Sequence, residues 1–402
     1  MALSERLQTP ISTAELERRW AAVRAAMQRE KIDVLVMQNN NDHMGGYVKW
    51  FTDMPATNGY PMTVVFPRDD AMTVVQQGPF GAVEQAAAGS DALLGDTWRG
   101  VKRVLMTPSY SSAPYTRHYD PELAATALDP YARATIGLVG TYQMGHATAD
   151  HLHKRFSGAR FVEASDMVDA IKSIKSAEEM ELVRRAAAMQ DGAMRAAFAA
   201  VKPGMRDTEV AAVAQHYSQT QGSENGIYLC ASMPLGQPSK FGQRHVQNRT
   251  IQAGDQVVLL VEDSGPGGMY TELGRSCVVG KVPQAMKDEL AFCIAARKVT
   301  LDLLKPGTSC KDIWDAFNAF MRKNGRPEEA RLYCHGQGYD LVERPLVRND
   351  EPMLIQKDMN IVVHPTYIHA GYMNWLCDNY LIGGNGPGDR LHRFPEEIVE
   401  VG

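Results

Sequence analysis

The 402-residue chain is 44 % apolar and 22 % charged, which excludes a disordered tract or a fibrous protein and leaves room for two or three cores. Its 47 acidic and 42 basic residues give a net charge of −5, and no run of Lys and Arg is dense enough to neutralise several phosphates. Nucleic acid and anionic membrane are therefore poor candidate partners. Apolar runs such as Val257–Val261 and Leu290–Ala296 fall far short of the roughly 20 residues that span a bilayer, and the start of the chain has no apolar stretch behind a basic segment. A cytoplasmic location is expected.

In chain order, Thr13 is placed to cap a helix whose apolar positions Leu16, Trp20, Val23 and Met27 recur at helical spacing, and Ile32 to Met37 reads as a buried strand. Strand-like runs at Met62–Phe66, Met72–Gln76, Thr135–Val139 and Ala159–Val162 follow, alternating with helical or loop segments, which predicts an α/β N-terminal domain over residues 1–170. Ser176 then caps a long helix with Glu178 and Glu179 at its positive end and Met180, Val183 and Ala187 on one face, opening a second domain over 171–402. Pro203-Gly204 stops that helix, and another is expected from about Asp207 to Gln221. Strands at Gln256–Val261 and Gly274–Val279 bracket a Gly-rich turn. Two helices near Gln284–Leu304 and Cys310–Asn324 and strands at Ile361–His364 and Trp375–Ile382 complete the chain. Helix, helix, strands, occurring twice, suggests a structural duplication, although no residue-level repeat is visible.

The six cysteines all lie in the second half without a C-x-x-C pair, which points to reduced thiols and not to a disulfide framework or a zinc ribbon. Chemistry is instead concentrated in carboxylates and histidines. Glu262, Asp263 and Glu272 flank a Gly-Pro-Gly-Gly loop, and His335, His364 and Asp378 stand at turn or strand ends. Oxygen and imidazole donors from several strands suit Zn, Mn or Fe(II). Glu343 beside Pro345 is a candidate general acid or base, and so is the pair His364 and His369. Tyr228, Phe241, Tyr270, Tyr339, Tyr367, Tyr372 and Trp375 are available to build a partly apolar cavity around such a site. Ser264 lacks the flanking glycine of a serine nucleophile loop, and no phosphate-binding G-x-G-x-x-G follows a strand.

The segments Lys172–Ala187, Gly254–Gly280, His335–Pro345 and Asp358–Pro365 together resemble the C-terminal domain of the M24 "pita-bread" family, which includes methionine aminopeptidase, prolidase, Xaa-Pro aminopeptidase and creatinase. Gly254-Asp255, Tyr270, Arg275, His335-Gly336-x-Gly338, Pro345, Asp358-Met359 and Pro365 fall in the family's order. The N-terminal domain is similar in length and pattern to that of creatinase and prolidase. The resemblance implies a hydrolase of a carbon–nitrogen bond in a small molecule or short peptide, in a homodimer. It also implies that two aspartates, one histidine and two glutamates hold metal.

Only His335 is the residue type that pattern uses. The first aspartate position falls on Val261 or, as in a dimethylsulfoniopropionate-lyase-like branch with a similar loop, on Asp263. The second becomes Glu272, the first glutamate His364 and the last Asp378. A histidine in place of a carboxylate removes negative charge, which favours one divalent transition metal, Fe, Zn or Mn, over two. The expected ligand set is Asp263, Glu272, His335, His364 and Asp378, with Glu343 or Glu262 moving protons. The resemblance leaves two alternatives. One is a metal-free creatinase-like amidinohydrolase or lyase with His245 as catalytic histidine; the other is a non-catalytic small-molecule binding protein.

Overall fold

A computed structural model describes residues 10–39, 44, 46–54, 59–85, 97–237, 240–242, 248–365 and 367–402. The chain divides into two compact units, Met1–Lys172 and Ser173–Gly402.

The first unit opens with α1 (Thr13–Glu30). Ser12 Oγ accepts the Glu15 N–H at 3.1 Å, so the cap lies one residue before the expected Thr13. There follow β1 (Val34–Asn39), α2 (Gly46–Thr52), β2 (Met62–Pro67), β3 (Met72–Gln77), β4 (Val83–Gln85) and β5 (Val101–Thr107). The unit closes with α3 (Tyr119–Leu128), β6 (Thr135–Val139), α4 (His146–Arg155), β7 (Arg160–Glu163) and α5 (Ser165–Lys172). The strands form one mixed sheet in the order β4-β5-β3-β2-β1-β6-β7, with β1 parallel to β6 and antiparallel to β2. Every residue of β1 is buried, because helices cover the sheet: Leu128, Leu152 and Phe156 pack with Val34, Val36 and Val75.

The second unit begins with α6 (Ala177–Ala200). Its capping box is complete: Glu179 N–H donates to Ser176 Oγ at 3.2 Å and Ser176 N–H to Glu179 Oε2 at 2.8 Å. Next come α7 (Asp207–Thr220), β8 (Gly226–Pro234), β9 (Asp255–Ser264) and β10 (Tyr270–Val279). The second half of the unit holds α8 (Gln284–Leu303), α9 (Cys310–Lys323), β11 (Cys334–Gly336), β12 (Glu343–Leu346) and β13 (Asn360–Val363). It ends with the small hairpin β14 (Tyr367–His369) and β15 (Tyr372–Asn374), then β16 (Asp378–Gly383), β17 (Gly386–Pro387) and β18 (Val399–Val401). Two sheets result, ordered β18-β10-β9-β8 and β12-β11-β13-β16-β17. Each follows a pair of helices, which is the repeated architecture suggested by the order of elements along the chain.

The strand β8 and the full lengths of β9 and β10 are longer or newer than sequence pattern alone indicates. That extra length decides where the carboxylates go. The β9–β10 hairpin is paired continuously from Ser264↔Tyr270 to Gln256↔Val278, so Glu262, Asp263 and Glu272 lie in strands and not in the loop. The turn closes through Gly268 N–H to Gly265 O at 2.8 Å and Gly265 N–H to Met269 O at 2.9 Å. Gly267 and Gly268 adopt φ of 96° and 92°, a region that residues with a Cβ avoid.

Alternation then sends neighbours to opposite faces. Val257, Leu259, Val261, Leu273 and Cys277 pack with Met194, Ala197 and Phe198 of α6. Glu262, Glu272 and Gly274 face the other way. There a bridge between Gly274 and Cys377 ties this sheet to the segment leading into β16, with reciprocal N–H···O contacts of 3.4 Å. Gly274 is needed because a Cβ would stand 2.9 Å from both Cys377 Sγ and the Trp375 carbonyl oxygen.

Candidate active site

Glu262 and Glu272 are direct partners across β9 and β10, so their side chains leave the same face of the hairpin side by side. Opposite them His335 stands on β11 and His364 just past β13. Cys334 pairs with Val363, and His364 N–H donates to Tyr333 O at 2.8 Å. The imidazoles meet edge to face with ring centres 5.1 Å apart. One donor atom each from Glu272, His335 and His364 lies within 4.8 Å of the other two, and all three residues are buried.

The electrostatics of this group are those of a site that favours a cation. Burial pushes the His335 imidazole down to about 4, and burial together with its neighbour His335 pushes His364 well below its ordinary value, so both rings are neutral and able to ligate. The His335 Nδ1 lies 2.9 Å from Gly336 O, which makes Nδ1 the protonated nitrogen and leaves the Nε2 lone pair as the one that could ligate. Burial lifts Glu272 to about 7 against the opposing influence of the neighbouring Cys377 and Trp375, and burial plus the Glu272 charge raises Glu262 well above the carboxylate range. Two facing carboxyls and two neutral imidazoles match the chemistry of a single Zn, Fe or Mn site.

Two other residues of the expected ligand set, Asp263 and Asp378, lie outside this group of three. Asp263, one residue from Glu262, lies on the face toward α6. It accepts from Tyr228 Oη at 2.7 Å and from Gln190 Nε2 at 2.7 Å. Asp378 is fully buried between Arg275 at 2.7 Å and Arg297 at 2.6 Å. Burial alone would raise its pKa, but Arg275, the hydrogen bond with His392 and Arg297 hold it well below the usual range. Both Asp378 oxygens are thus engaged by guanidinium groups.

Glu343 is buried and paired with Lys175; its charge also bears on His335. His369 contacts Glu289 at 3.1 Å and stands outside the cluster. His245 lies outside the described residues. Of the expected aromatics, Trp375 packs on Phe241 with ring centres 4.7 Å apart, whereas Tyr228 serves Asp263 on the opposite face.

Sequence reasoning missed Gln337, Asn360 and Asn379. Gln337 Nε2 donates to Glu262 Oε1 at 2.9 Å, and Asn379 links Gln337 to Asn360. The available signal was an amide at the variable position of His335-Gly336-Gln337-Gly338, inside an otherwise tightly packed strand end.

The model of metallopeptidase family M24 matches residues 181–390. The chain belongs to metallopeptidase family M24. It is a hydrolase with the pita-bread fold in its second unit. Among its relatives, an uncharacterized hydrolase/peptidase, y4tM, of Sinorhizobium fredii is 28 % identical over 342 residues, 82 % of each chain. A Xaa-Pro dipeptidase of Pyrococcus furiosus is 23 % identical over 66 % of this chain and 75 % of its own. The crystal structure of dipeptidase PepE from Mycobacterium ulcerans superposes with a TM-score of 0.76 at 20 % identity, covering 98 % of this chain and 99 % of that one. Similarity at that identity extends the shared fold across both units of this M24 chain. No described helix is long and apolar enough to cross a membrane.

Proposed function

We propose that this M24 hydrolase cleaves a carbon–nitrogen bond of a dipeptide or comparably small molecule with water activated at a single divalent ion held by Glu272, His335 and His364. The observation that carries the reading is the convergence of those three buried donors within 4.8 Å. A bound divalent ion supplies Lewis acidity, polarising a carbonyl and lowering the pKa of water. The protein's residues do the rest. Glu262, beside Glu272, is the proton carrier: a cation held by Glu272 would offset the burial and the Glu272 charge that raise its pKa, and the ionised carboxylate then takes the proton from water as it adds to the amide carbon and returns it to the departing amine nitrogen, so one water is consumed and an acid and an amine are formed. Burial keeps bulk water from screening these charges. Glu343, held by Lys175, biases His335 from behind.

The Xaa-Pro dipeptidase relative supports prolyl dipeptides as the first substrates to try. A cytoplasmic homodimer is part of the same reading, with light scattering as its check. The test of function is elemental analysis before and after chelation, followed by assays of a prolyl dipeptide panel with Zn, Mn and Fe(II). About one ion per chain, lost in His364→Ala together with activity, is the expected result. Folded protein that hydrolyses its substrate without any metal would sink the metal reading and favour acid–base chemistry alone.

A further inference from the structure

Behind the carboxylate pair runs a chain of buried amides whose orientation is set entirely by backbone atoms. Gln337, Asn360 and Asn379 are 0 %, 1 % and 0 % exposed. Asn379 Oδ1 accepts the Glu272 N–H at 2.8 Å, so Asn379 presents Nδ2 to the other side. Asn360 Nδ2 donates to Gln337 O at 3.1 Å and Tyr270 O at 3.4 Å, which turns its Oδ1 toward Asn379 Nδ2 at 3.1 Å. Asn379 Nδ2 therefore also donates to Gln337 Oε1, at 2.8 Å. Gln337 is then left with only donors to offer, and Nε2 uses them on Leu341 O at 3.0 Å and on Glu262 Oε1 at 2.9 Å. The Leu341 carbonyl fixes the same orientation independently, since a carbonyl accepts and cannot donate.

We infer that Gln337 is a positioning residue for the hydrolytic reaction: the amide chain from Asn379 locks its Nε2 onto Glu262 Oε1 and leaves Oε2 as the only oxygen of Glu262 that exchanges a proton. This rests on the proposed metal-assisted reading and adds to it. The polarity begins at the N–H of Glu272, a proposed ligand, and ends on its carboxylate partner. One network thus couples the backbone under the ligand to the orientation of the proton carrier. A fully satisfied buried network rigidifies the side chains it joins and so locks the orientation of the group at its end.

The test compares Gln337→Met, which keeps volume and removes both donors, with Gln337→Glu, which keeps shape and the bond from Asn379 but sets a carboxylate against Glu262. The protein is loaded with Co2+ as a visible probe, and kcat, KM, Co2+ affinity and absorption spectrum are read alongside a thermal melt. Expected is a kcat lowered about 10- to 100-fold in Gln337→Met at little changed KM, with an altered Co2+ spectrum and a larger loss in Gln337→Glu. Folded variants with the wild-type spectrum and kcat would overturn the inference and reduce the amides to a cross-tie between strands. If Gln337→Met does not fold, Gln337→Glu decides by the same readouts. Failure of the wild-type protein to bind Co2+ is a different result: it removes the metal reading first, and this inference with it.

Discussion

The two sides of the β9–β10 hairpin hold the buried acids around it in opposite ways. On the face toward α6, Asp263 is bonded by Tyr228 and Gln190. Gln190 Oε1 lies 2.9 Å from His392 Nε2, and His392 leads to Asp378 between Arg275 and Arg297. Every acid there has a donor or a guanidinium group within the chain. On the other face Glu262 meets Glu272 beside the Gln337 amide and two imidazoles made neutral by burial, and the charge of Arg331 acts on Glu272 without an ion pair between them among the described residues. A buried carboxylate ion-paired within the chain is structure; a buried carboxyl pair raised by its own burial is poised for a cation or a proton.

The largest expected effect breaks the first face. Asp378→Ala strands two buried guanidinium groups and should cost about 3–5 kcal/mol in denaturant unfolding, whereas Glu272→Ala should leave the midpoint near wild type and abolish metal retention. Equal losses of stability from the two variants would erase the distinction. Glu262→Gln removes the proton carrier and is expected to lower kcat about 10²- to 10⁴-fold while the metal content measured by elemental analysis persists. Asp263→Asn is milder. Because burial already raises that acid, a neutral amide should cost about 1–2 kcal/mol and leave metal content unchanged, and loss of the ion would return Asp263 to the ligand set.

The smallest effect is a pH slope. Glu272, raised from 4.5 to about 7, binds its proton more tightly folded than unfolded, so its contribution is complete below about pH 4.5 and fades as pH rises through 7. His335, lowered from 6.5 to about 4, has the opposite sign and acts only below about 6.5. Between pH 6.5 and 8 the melting temperature of metal-free protein should therefore fall, and a saturating divalent ion should remove the fall. A flat profile without metal would show that the carboxylate pair is not under strain.

Much of this was legible beforehand. His335 and Arg275 stand in a recognisable order, and the carboxylates cluster around one glycine-rich turn. The ligand set was less legible for a definite reason. Reading Gln256–Val261 as the strand and the following acids as loop suspends the rule of alternation at the point where it matters. Glu262 and Asp263 then look interchangeable, although in a continued strand they must face opposite ways. The surroundings of Asp378 were hidden for another reason: Arg297, from α8, engages its second oxygen through a contact that no local pattern encodes. The amides were overlooked because Gln and Asn carry no charge pattern and acquire meaning only from their partners.

What the sequence determined by itself was the order of helices and strands and the family's framework, since caps, periodicity and glycine turns act through residues close in the chain. The tertiary structure alone decided which acids face one another, which are neutralised and which amide points at which oxygen. Those choices depend on hairpin register and on contacts such as Gln337 to Glu262, 75 residues apart, and both are fixed only when the two sheets pack together.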